Sequence, residues 1–244
     1  MVEKTKGIVI SKTNYSESSL IVRILTKEFG LKSYIIKGGR NPKNKLFASL
    51  FFPLRPLSME VYNNPKRDLN IISEAKPYLK TNTLYENPIK TSMVFFIVDI
   101  LRLSIREEER NQTLYDFLET TIISLENLEE DFSVFNLVFL LDLSDHLGLY
   151  PMNNHSNQNR FFNLQKGKFT NLPGSKQDLV SEQESRIVSN LIKLHQDKTS
   201  PITRHSLNKQ DRETAFNVLI KFYQSHIIDF YTIKSLEVLR TLIY

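Results

Sequence analysis

The sequence predicts an α+β multidomain protein in which an N-terminal β-barrel is followed by an all-α helical domain with a small hairpin insertion. Short segments rich in β-branched residues, separated by turn residues, fill residues 1–80, a pattern typical of small barrels. Residues 81–244 contain longer apolar runs with helical spacing, which predict roughly five or six helices. The expected boundary between the two domains therefore lies at residue 80.

Five segments of the first domain have the composition of strands: Gly7–Thr13, Leu20–Thr26, Leu31–Lys37, Leu54–Tyr62 and Leu69–Ala75. This strand number and size favour an OB-fold, although an SH3-like barrel has a similar pattern. Gly30 suits the left-handed position of a tight turn. Pro56 places the fourth strand near an edge or a bulge, because proline cannot donate a ladder hydrogen bond. We expect Phe51 in the core, and Tyr34 and Tyr62 at the surface, since each tyrosine alternates onto a polar face.

Six segments of the second domain predict helices: Met93–Ile105, Leu114–Leu125, Phe132–Leu147, one that begins at Ser181, Arg212–His226 and Lys234–Leu242. The first and third are apolar on nearly every side, so each needs packing partners on several faces. Ser181 and Glu184 have the spacing of a capping box. The insertion at about 153–173 contains a short hairpin, in which Phe161–Gln165 and Lys168–Asn171 flank a turn.

Charge is distributed unevenly along the chain. Residues 1–80 carry 15 Lys or Arg against 6 Asp or Glu, whereas residues 81–244 carry 17 against 21. The asymmetry favours a polyanion as partner of the first domain, and a basic domain without such a partner is the alternative. The chain has no cysteine, which excludes disulfides and thiolate metal sites. With no apolar run of membrane-span length and no signal-peptide pattern at the start, we expect a cytoplasmic, nucleoid-associated protein without a membrane partner.

The most informative segment is residues 37–45, which follows a predicted strand. Its cations Lys37, Arg40, Lys43 and Lys45 are the main candidates for contact with phosphates, which would make binding independent of base sequence and sensitive to salt. Gly38 lets the backbone approach a ligand closely. Weaker candidates lie on the strands: Lys12, Arg23 and Lys32. A solvated basic loop without a ligand is the alternative, and the spacing of an NTPase phosphate loop is missing.

The sequence contains no pattern typical of an enzyme. The five histidines lack metal-ligand spacing, and we expect His195 and His205 at the surface. The acidic runs Glu107–Glu109 and Glu129–Asp131 suit solvated helix ends better than a two-metal site, and a nucleophile elbow is missing. We therefore expect a protein that is not an enzyme and that uses no cofactor.

Several segments together resemble the RecO family: Gly7–Ile10, Tyr15–Ser18 leading into Leu20–Thr26, Gly30-Leu31, Lys37–Arg40 with Lys43, His146–Pro151 and Lys234–Leu239. The resemblance implies an OB-fold and a helical domain that bind single- and double-stranded DNA and anneal complementary strands. It also implies work with RecR, and in some organisms RecF, to help RecA replace single-strand-binding protein (SSB). The C-terminal tail of SSB is acidic and apolar, so its site should combine an apolar groove with one or two cations.

One region departs from the family pattern. Many RecO proteins carry a four-cysteine zinc module after the segment that resembles His146–Pro151, but here Asn153–Asn171 contains no cysteine. Zinc is therefore not expected. We expect the hairpin to keep its shape through a small apolar cluster of four side chains: Phe161, Phe162, Leu164 and Phe169.

Two other classes of function compete with DNA repair. An OB-fold also suits an RNA-binding protein in translation or RNA processing. A nuclease or nucleotidyltransferase would need clustered carboxylates or a phosphate loop, and the sequence contains neither pattern.

Overall fold

The computed structural model describes residues 2–64, 68–105, 109–172, 180–197, 199, 201–227, 230 and 233–244. The chain divides into two compact units, residues 1–127 and 128–244. The first unit contains the barrel and the helical segments that follow it as far as Asn127. The expected boundary at residue 80 lies close to the change from strands to helices, and the domain assignment at that residue stays a prediction.

Five strands close into a barrel: β1 Val2–Asn14, β2 Leu20–Thr26, β3 Gly30–Ile36, β4 Pro56–Tyr62 and β5 Leu69–Pro77. Their order around the barrel is β1-β2-β3-β5-β4, and β4 pairs back onto β1. All neighbours are antiparallel except β3 and β5, which are parallel. A short helix, α1 (Lys45–Ser49), lies between β3 and β4. This closed five-stranded barrel confirms the predicted OB-fold.

The barrel interior is formed by alternate residues of the strands, which include Val22, Ile24 and Met59. The prediction that Tyr34 lies at the surface is wrong, because Tyr34 is opposite Val22 in the register and fully buried. Burial is the largest cause that raises the pKa of its phenol. Phe51 is buried and Tyr62 is 49% exposed, as predicted.

The described residues of the first unit contain three further helices after the barrel: α2 Thr83–Glu86, α3 Pro88–Ser104 and α4 Gln112–Asn127. The Asn87 side chain caps α3 by accepting hydrogen bonds from the N–H groups of Ile89 and Lys90, and Pro88 suits the first turn because it has no N–H to leave unpaired. Apolar residues on most sides of α3 are buried, as predicted. Two residues of the acidic run Glu107–Glu109, at positions 107 and 108, lie outside the described residues.

The second unit contains four helices among its described residues: α5 Phe132–His146, α6 Glu182–Gln196, α7 Lys209–His226 and α8 Ser235–Ile243. The capping box of Ser181 and Glu184 is present at the start of α6. With α3 and α4, these helices account for all six that the sequence predicts. Among the described residues, every helix is too short or too polar to cross a membrane.

The predicted hairpin is present as β6 (Phe161–Asn163) and β7 (Lys168–Thr170); residue 173 of the expected insertion lies outside the described residues. Phe162, Leu164 and Phe169 are buried, whereas Phe161 is only partly so. The Asn154 amide fixes the hairpin further: it donates to the carbonyl of Phe169 (3.0 Å) and accepts from the N–H of Phe169 (2.8 Å). Apolar packing and a side-chain amide thus hold this hairpin.

The expectation for the two histidines is half correct. His205 is exposed, but the side chain of His195 is only 9% exposed. Its Nε2 lies 2.8 Å from Oδ1 of Asp142, and its Nδ1 lies 3.0 Å from the hydroxyl of Tyr150. Both ring nitrogens are therefore satisfied inside the unit, which explains why a polar residue tolerates this burial.

Candidate nucleic-acid interface

The basic loop, residues 37–45, lies at the end of the barrel where β2 begins. Leu20 pairs with Ile36 in the register, so the end of β3 and the start of β2 are neighbours. The N–H of Arg40 donates to the carbonyl of Ser18 at 3.0 Å. The loop therefore lies against residues 15–19, which connect β1 to β2.

The shape of the basic loop depends on Gly38. This residue has φ of +66°, a left-handed conformation that glycine adopts without strain. Its carbonyl accepts hydrogen bonds from the N–H of Asn41 (2.9 Å) and from Nδ2 of Asn44 (3.1 Å). A Cβ atom at this position would lie 3.0 Å from Nδ2 of Asn44. These bonds fold the loop back on itself and leave four cations exposed: Lys37, Arg40, Lys43 and Lys45.

The charges of the basic loop are not neutralised by acids of the described part of the chain. No ion pair within 4 Å joins Lys37, Lys43 or Lys45 to a described carboxylate. The guanidinium of Arg40 donates to the carbonyl of Ser16 at 2.6 Å. This contact is with a neutral group, so it orients the arginine without cancelling its charge.

The three weaker candidates are divided by the fold. Lys12, opposite Val22, reaches the α1 region, where its Nζ lies 3.5 Å from the carbonyl of Ala48. Arg23 is three residues into β2, and Lys32 is four residues before the end of β3. At about 3.3 Å per residue, they lie roughly 10 and 13 Å along their strands from the basic loop. The structure thus brings Lys12 close to α1 and leaves Arg23 and Lys32 farther along the barrel wall.

Other lysines of the barrel are paired with acids. Lys4 lies 3.5 Å from Glu60, Lys6 lies 3.9 Å from Glu119 and Lys27 lies 2.9 Å from Asp116. The hydrogen bond to Asp116 is the largest cause that raises the pKa of Lys27, and the same bond lowers the pKa of Asp116. The net charge of the first 80 residues therefore overstates the positive charge that is available to a ligand. The cations of the basic loop remain available.

Three exposed apolar side chains lie near the basic loop; the sequence indicated Phe52 among the aromatic residues of this segment, but not Tyr15 or Leu46. Tyr15, in the turn next to the loop, is 58% exposed, and Leu46 on α1 is 82% exposed. Phe52, just beyond α1, is 41% exposed and lies beside Lys12 and Arg55. An aromatic residue in a polar turn, such as Tyr15 between Asn14 and Ser16, is a signal that could have found the first of them.

The second unit contains a cavity of about 650 Å³, lined by Leu128, Asp131, Val134, Phe135, Val138, Asp142, Leu194, His195, Asp197, Pro201, Ile202 and Thr203. The described part of this lining is mainly apolar and contains three aspartates, Asp131, Asp142 and Asp197. The position of an SSB site stays a prediction. The described residues contain no group of three or more His, Asp or Glu side chains arranged to hold a metal ion.

Comparisons with known proteins cover nearly the whole chain. The family profile "Recombination protein O N terminal" matches residues 1–79, and "Recombination protein O C terminal" matches residues 85–236. The relative from Azobacteroides pseudotrichonymphae is 30% identical over 241 residues, 99% of each chain. Those from Flavobacterium psychrophilum and Flavobacterium johnsoniae are 34% and 33% identical, over 97% of each chain. All three are named DNA repair protein RecO.

Proposed function

This chain belongs to the RecO family of DNA repair proteins, and on that premise we propose that it is a non-enzymatic recombination mediator. It binds single- and double-stranded DNA through the basic end of its barrel and anneals complementary strands. The observation that carries this proposal is the set of four exposed cations in residues 37–45, which lack acid partners in the described part of the chain.

Annealing follows from the electrostatics of such a surface. Two DNA strands repel each other through their phosphates, and cations that neutralise phosphates lower that repulsion while releasing counterions. A loop that contacts the backbone leaves the base edges free to pair. Lys37, Arg40, Lys43 and Lys45 contact the backbone in this proposal, and Lys12, Arg23 and Lys32 extend the contact along the barrel.

The helical region supplies the protein contacts in this proposal. Residues 81–244 carry four more acidic than basic side chains, which makes this part of the chain less suited to DNA than the barrel. Its partners are RecR, the C-terminal tail of SSB and, in some organisms, RecF, and the assembly helps RecA replace SSB on gapped DNA. The protein works without a cofactor in the cytoplasm, on the nucleoid.

A charge reversal tests the DNA contact. The triple variant Arg40→Glu, Lys43→Glu and Lys45→Glu should bind a single-stranded oligonucleotide more weakly. If three phosphate contacts are lost, the slope of log K against log[salt] should become shallower by about 2. A matched triple of exposed lysines in the second unit, Lys166→Glu, Lys209→Glu and Lys221→Glu, controls for net charge. Normal binding and an unchanged slope in the first triple would refute the assignment of the basic loop.

Strand annealing in the presence of the cognate SSB tests the mediator role, because it requires DNA contact and partner contact together. The proposal predicts that the chain accelerates annealing of SSB-coated complementary strands, and that the basic-loop triple does not. Competition with single-stranded RNA separates the proposal from an RNA-binding function. A clear preference for RNA over DNA, with no effect on annealing, would contradict the proposed role.

A further inference from the structure

A second pair of cations lies on the first unit, near α1: Lys12 on β1 and Arg55 in the segment before β4. Two aromatic rings lie beside them, Phe52 in the same segment as Arg55 and Tyr85 on α2. We refer to these four residues as the aromatic–cation cluster. Nζ of Lys12 is 5.3 Å from the centroid of the Phe52 ring. The guanidinium carbon of Arg55 is 5.8 Å from the centroid of Phe52 and 4.6 Å from that of Tyr85.

The rings of the cluster fix its cations in place. Phe52 and Tyr85 meet edge to face, with centroids 5.5 Å apart. The hydroxyl of Tyr85 donates to the carbonyl of Pro53 at 3.0 Å, which ties the ring to the segment that carries Arg55. Cations against aromatic faces gain electrostatic attraction and lose side-chain freedom. Lys12 and Arg55 are therefore held in position before any ligand arrives, which lowers the entropy cost of binding.

The two cations repel each other, and no described acid forms an ion pair with either. Burial lowers the pKa of Lys12 and the nearby charge of Arg55 lowers it further. Within the described residues, no ion pair within 4 Å involves Lys12 or Arg55. Nε of Arg55 is shielded from solvent and has no hydrogen-bond partner in that same part of the chain.

Glu126, whose charge raises the pKa of Tyr85, forms hydrogen bonds elsewhere. Its carboxylate accepts hydrogen bonds from the N–H groups of Thr83 and Leu84, both at 3.1 Å, at the start of α2. It therefore stabilises the first turn of that helix instead of balancing the cluster. An anion bound by Lys12 and Arg55 would form charge-assisted hydrogen bonds with both and offset the repulsion between them.

We propose that Lys12 and Arg55 bind one backbone phosphate of a single-stranded nucleic acid, with the exposed part of the Phe52 ring against the neighbouring base. The contact of Lys12 with the carbonyl of Ala48 places the cluster beside α1, whose first residue, Lys45, is the last residue of the basic loop. In this proposal the bound nucleic-acid strand runs from residues 37–45 across α1 to Phe52. This inference rests on the proposed function, because it extends the same DNA path to a second contact point.

The test compares three single variants of the full chain. Lys12→Gln and Arg55→Gln remove one charge each, Phe52→Leu removes the ring, and Lys221→Gln in the second unit is the matched control for charge. Each is titrated by fluorescence anisotropy with a 12-nucleotide oligo-dT and with an abasic oligonucleotide of the same length, at several salt concentrations. Thermal unfolding confirms that each variant is folded.

The proposal predicts a different signature for each change. Lys12→Gln and Arg55→Gln should each make the salt slope shallower by about 0.7 with both oligonucleotides. Phe52→Leu should weaken binding of oligo-dT about fivefold, the low end for loss of a stacked base, with the slope unchanged. Phe52→Leu should not change binding of the abasic oligonucleotide. Lys221→Gln should change neither the affinity for oligo-dT nor the salt slope.

Chemical protection gives a second readout that does not depend on affinity differences. An amine-reactive reagent, read by mass spectrometry, should label Lys12 in the free protein, and oligo-dT should protect it, while Lys221 stays equally reactive. If the basic-loop triple weakens binding but the cluster variants bind normally and Lys12 is not protected, the second contact point is refuted and the proposed function stands. If the cluster variants weaken binding and the loop triple does not, the cluster is supported and the basic loop is refuted.

Discussion

Two sets of three lysines on the same barrel have opposite surroundings. One set, which we call the wall lysines, is paired with carboxylates and consists of Lys4, Lys6 and Lys27. Two of these carboxylates, Glu119 and Asp116, belong to α4. Lys37, Lys43 and Lys45, the loop lysines, project from residues 37–45 without an acid partner in the described part of the chain. The difference shows that positive charge in one domain can serve two purposes, internal packing and a ligand surface.

Lys6 and Lys27 lie at the interface between the barrel and α4, whereas Lys4 is 85% exposed and pairs with Glu60 on the neighbouring strand. The hydroxyl of Tyr78 lies 2.8 Å from that of Tyr115 and donates to Glu119 at 2.5 Å. Nζ of Lys6 is 4.4 Å from the centroid of the Tyr78 ring. Such a network rigidifies the contact between barrel and α4 when every member is satisfied. Here Lys6 and Lys27 join the barrel to α4, whereas the loop lysines are exposed and form no ion pair with a described acid.

The largest effect on stability should come from Tyr115 in the wall network. Tyr115 is fully buried, so Tyr115→Ala removes a packed ring and leaves Tyr78 with one partner fewer; we expect a loss of about 3 kcal/mol or more. Tyr15→Ala, next to the basic loop, should change stability by less than about 0.5 kcal/mol, since Tyr15 is mostly exposed. Urea denaturation of the full chain measures both. If both variants lost the same free energy of unfolding, the network around the wall lysines would be no more important for stability than the residues beside the basic loop.

A smaller effect should separate loop shape from loop charge. Gly38→Ala keeps every charge but places a Cβ atom at φ of +66°, at a cost of about 1 to 2 kcal/mol. Gly148→Ala has the same backbone problem at φ of +69° in open space in the second unit. Both should lower the melting temperature, but only Gly38→Ala should weaken DNA binding. If Gly38→Ala binds with wild-type affinity, charge alone suffices and the fold of the loop is irrelevant.

The smallest effect concerns pH and the pair of Lys27 and Asp116. Because the pKa of Asp116 is lowered in the folded state, its charge stabilises the protein above the unfolded pKa, and that contribution is lost as pH falls through the folded pKa. Asp116→Asn should therefore be slightly less stable than the wild type at neutral pH and equal to it in acid. A double-mutant cycle with Lys27→Gln should show coupling at neutral pH and none in acid. Coupling that persists in acid would mean that the pair does not act through this ionisation.

The sequence predicted the barrel well where strands alternate and turns are marked. Strand β2 agrees with its prediction at both ends because four of the seven residues of Leu20–Thr26 are β-branched and polar turns flank the segment. Strand β1 begins five residues earlier than predicted, because its polar first residues, Glu3 to Lys6, pair with β4 to close the barrel. Helices α1 and α2 were missed because four or five residues are too few to show a helical period.

The candidate site was predictable only in part, for a physical reason. The basic loop is a local feature, and its cations, its turn and its Gly38 are visible in nine consecutive residues. The fate of the wall lysines depends on distant residues: 89 positions separate Lys27 from Asp116. Tyr34 was misplaced for a similar reason, because its polar neighbours Lys32 and Ser33 hide the fact that barrel closure turns it inward.

The most direct measurement is a salt titration of single-stranded DNA binding by two matched triple variants. One carries Lys37→Gln, Lys43→Gln and Lys45→Gln; the other carries Lys4→Gln, Lys6→Gln and Lys27→Gln, so both lose three positive charges. We predict that the loop triple makes the slope of log K against log[salt] shallower by about 2 and keeps its melting temperature, whereas the wall triple keeps the slope and melts earlier. A wall triple whose slope changes as much as that of the loop triple, or more, would contradict the division of the barrel's charge.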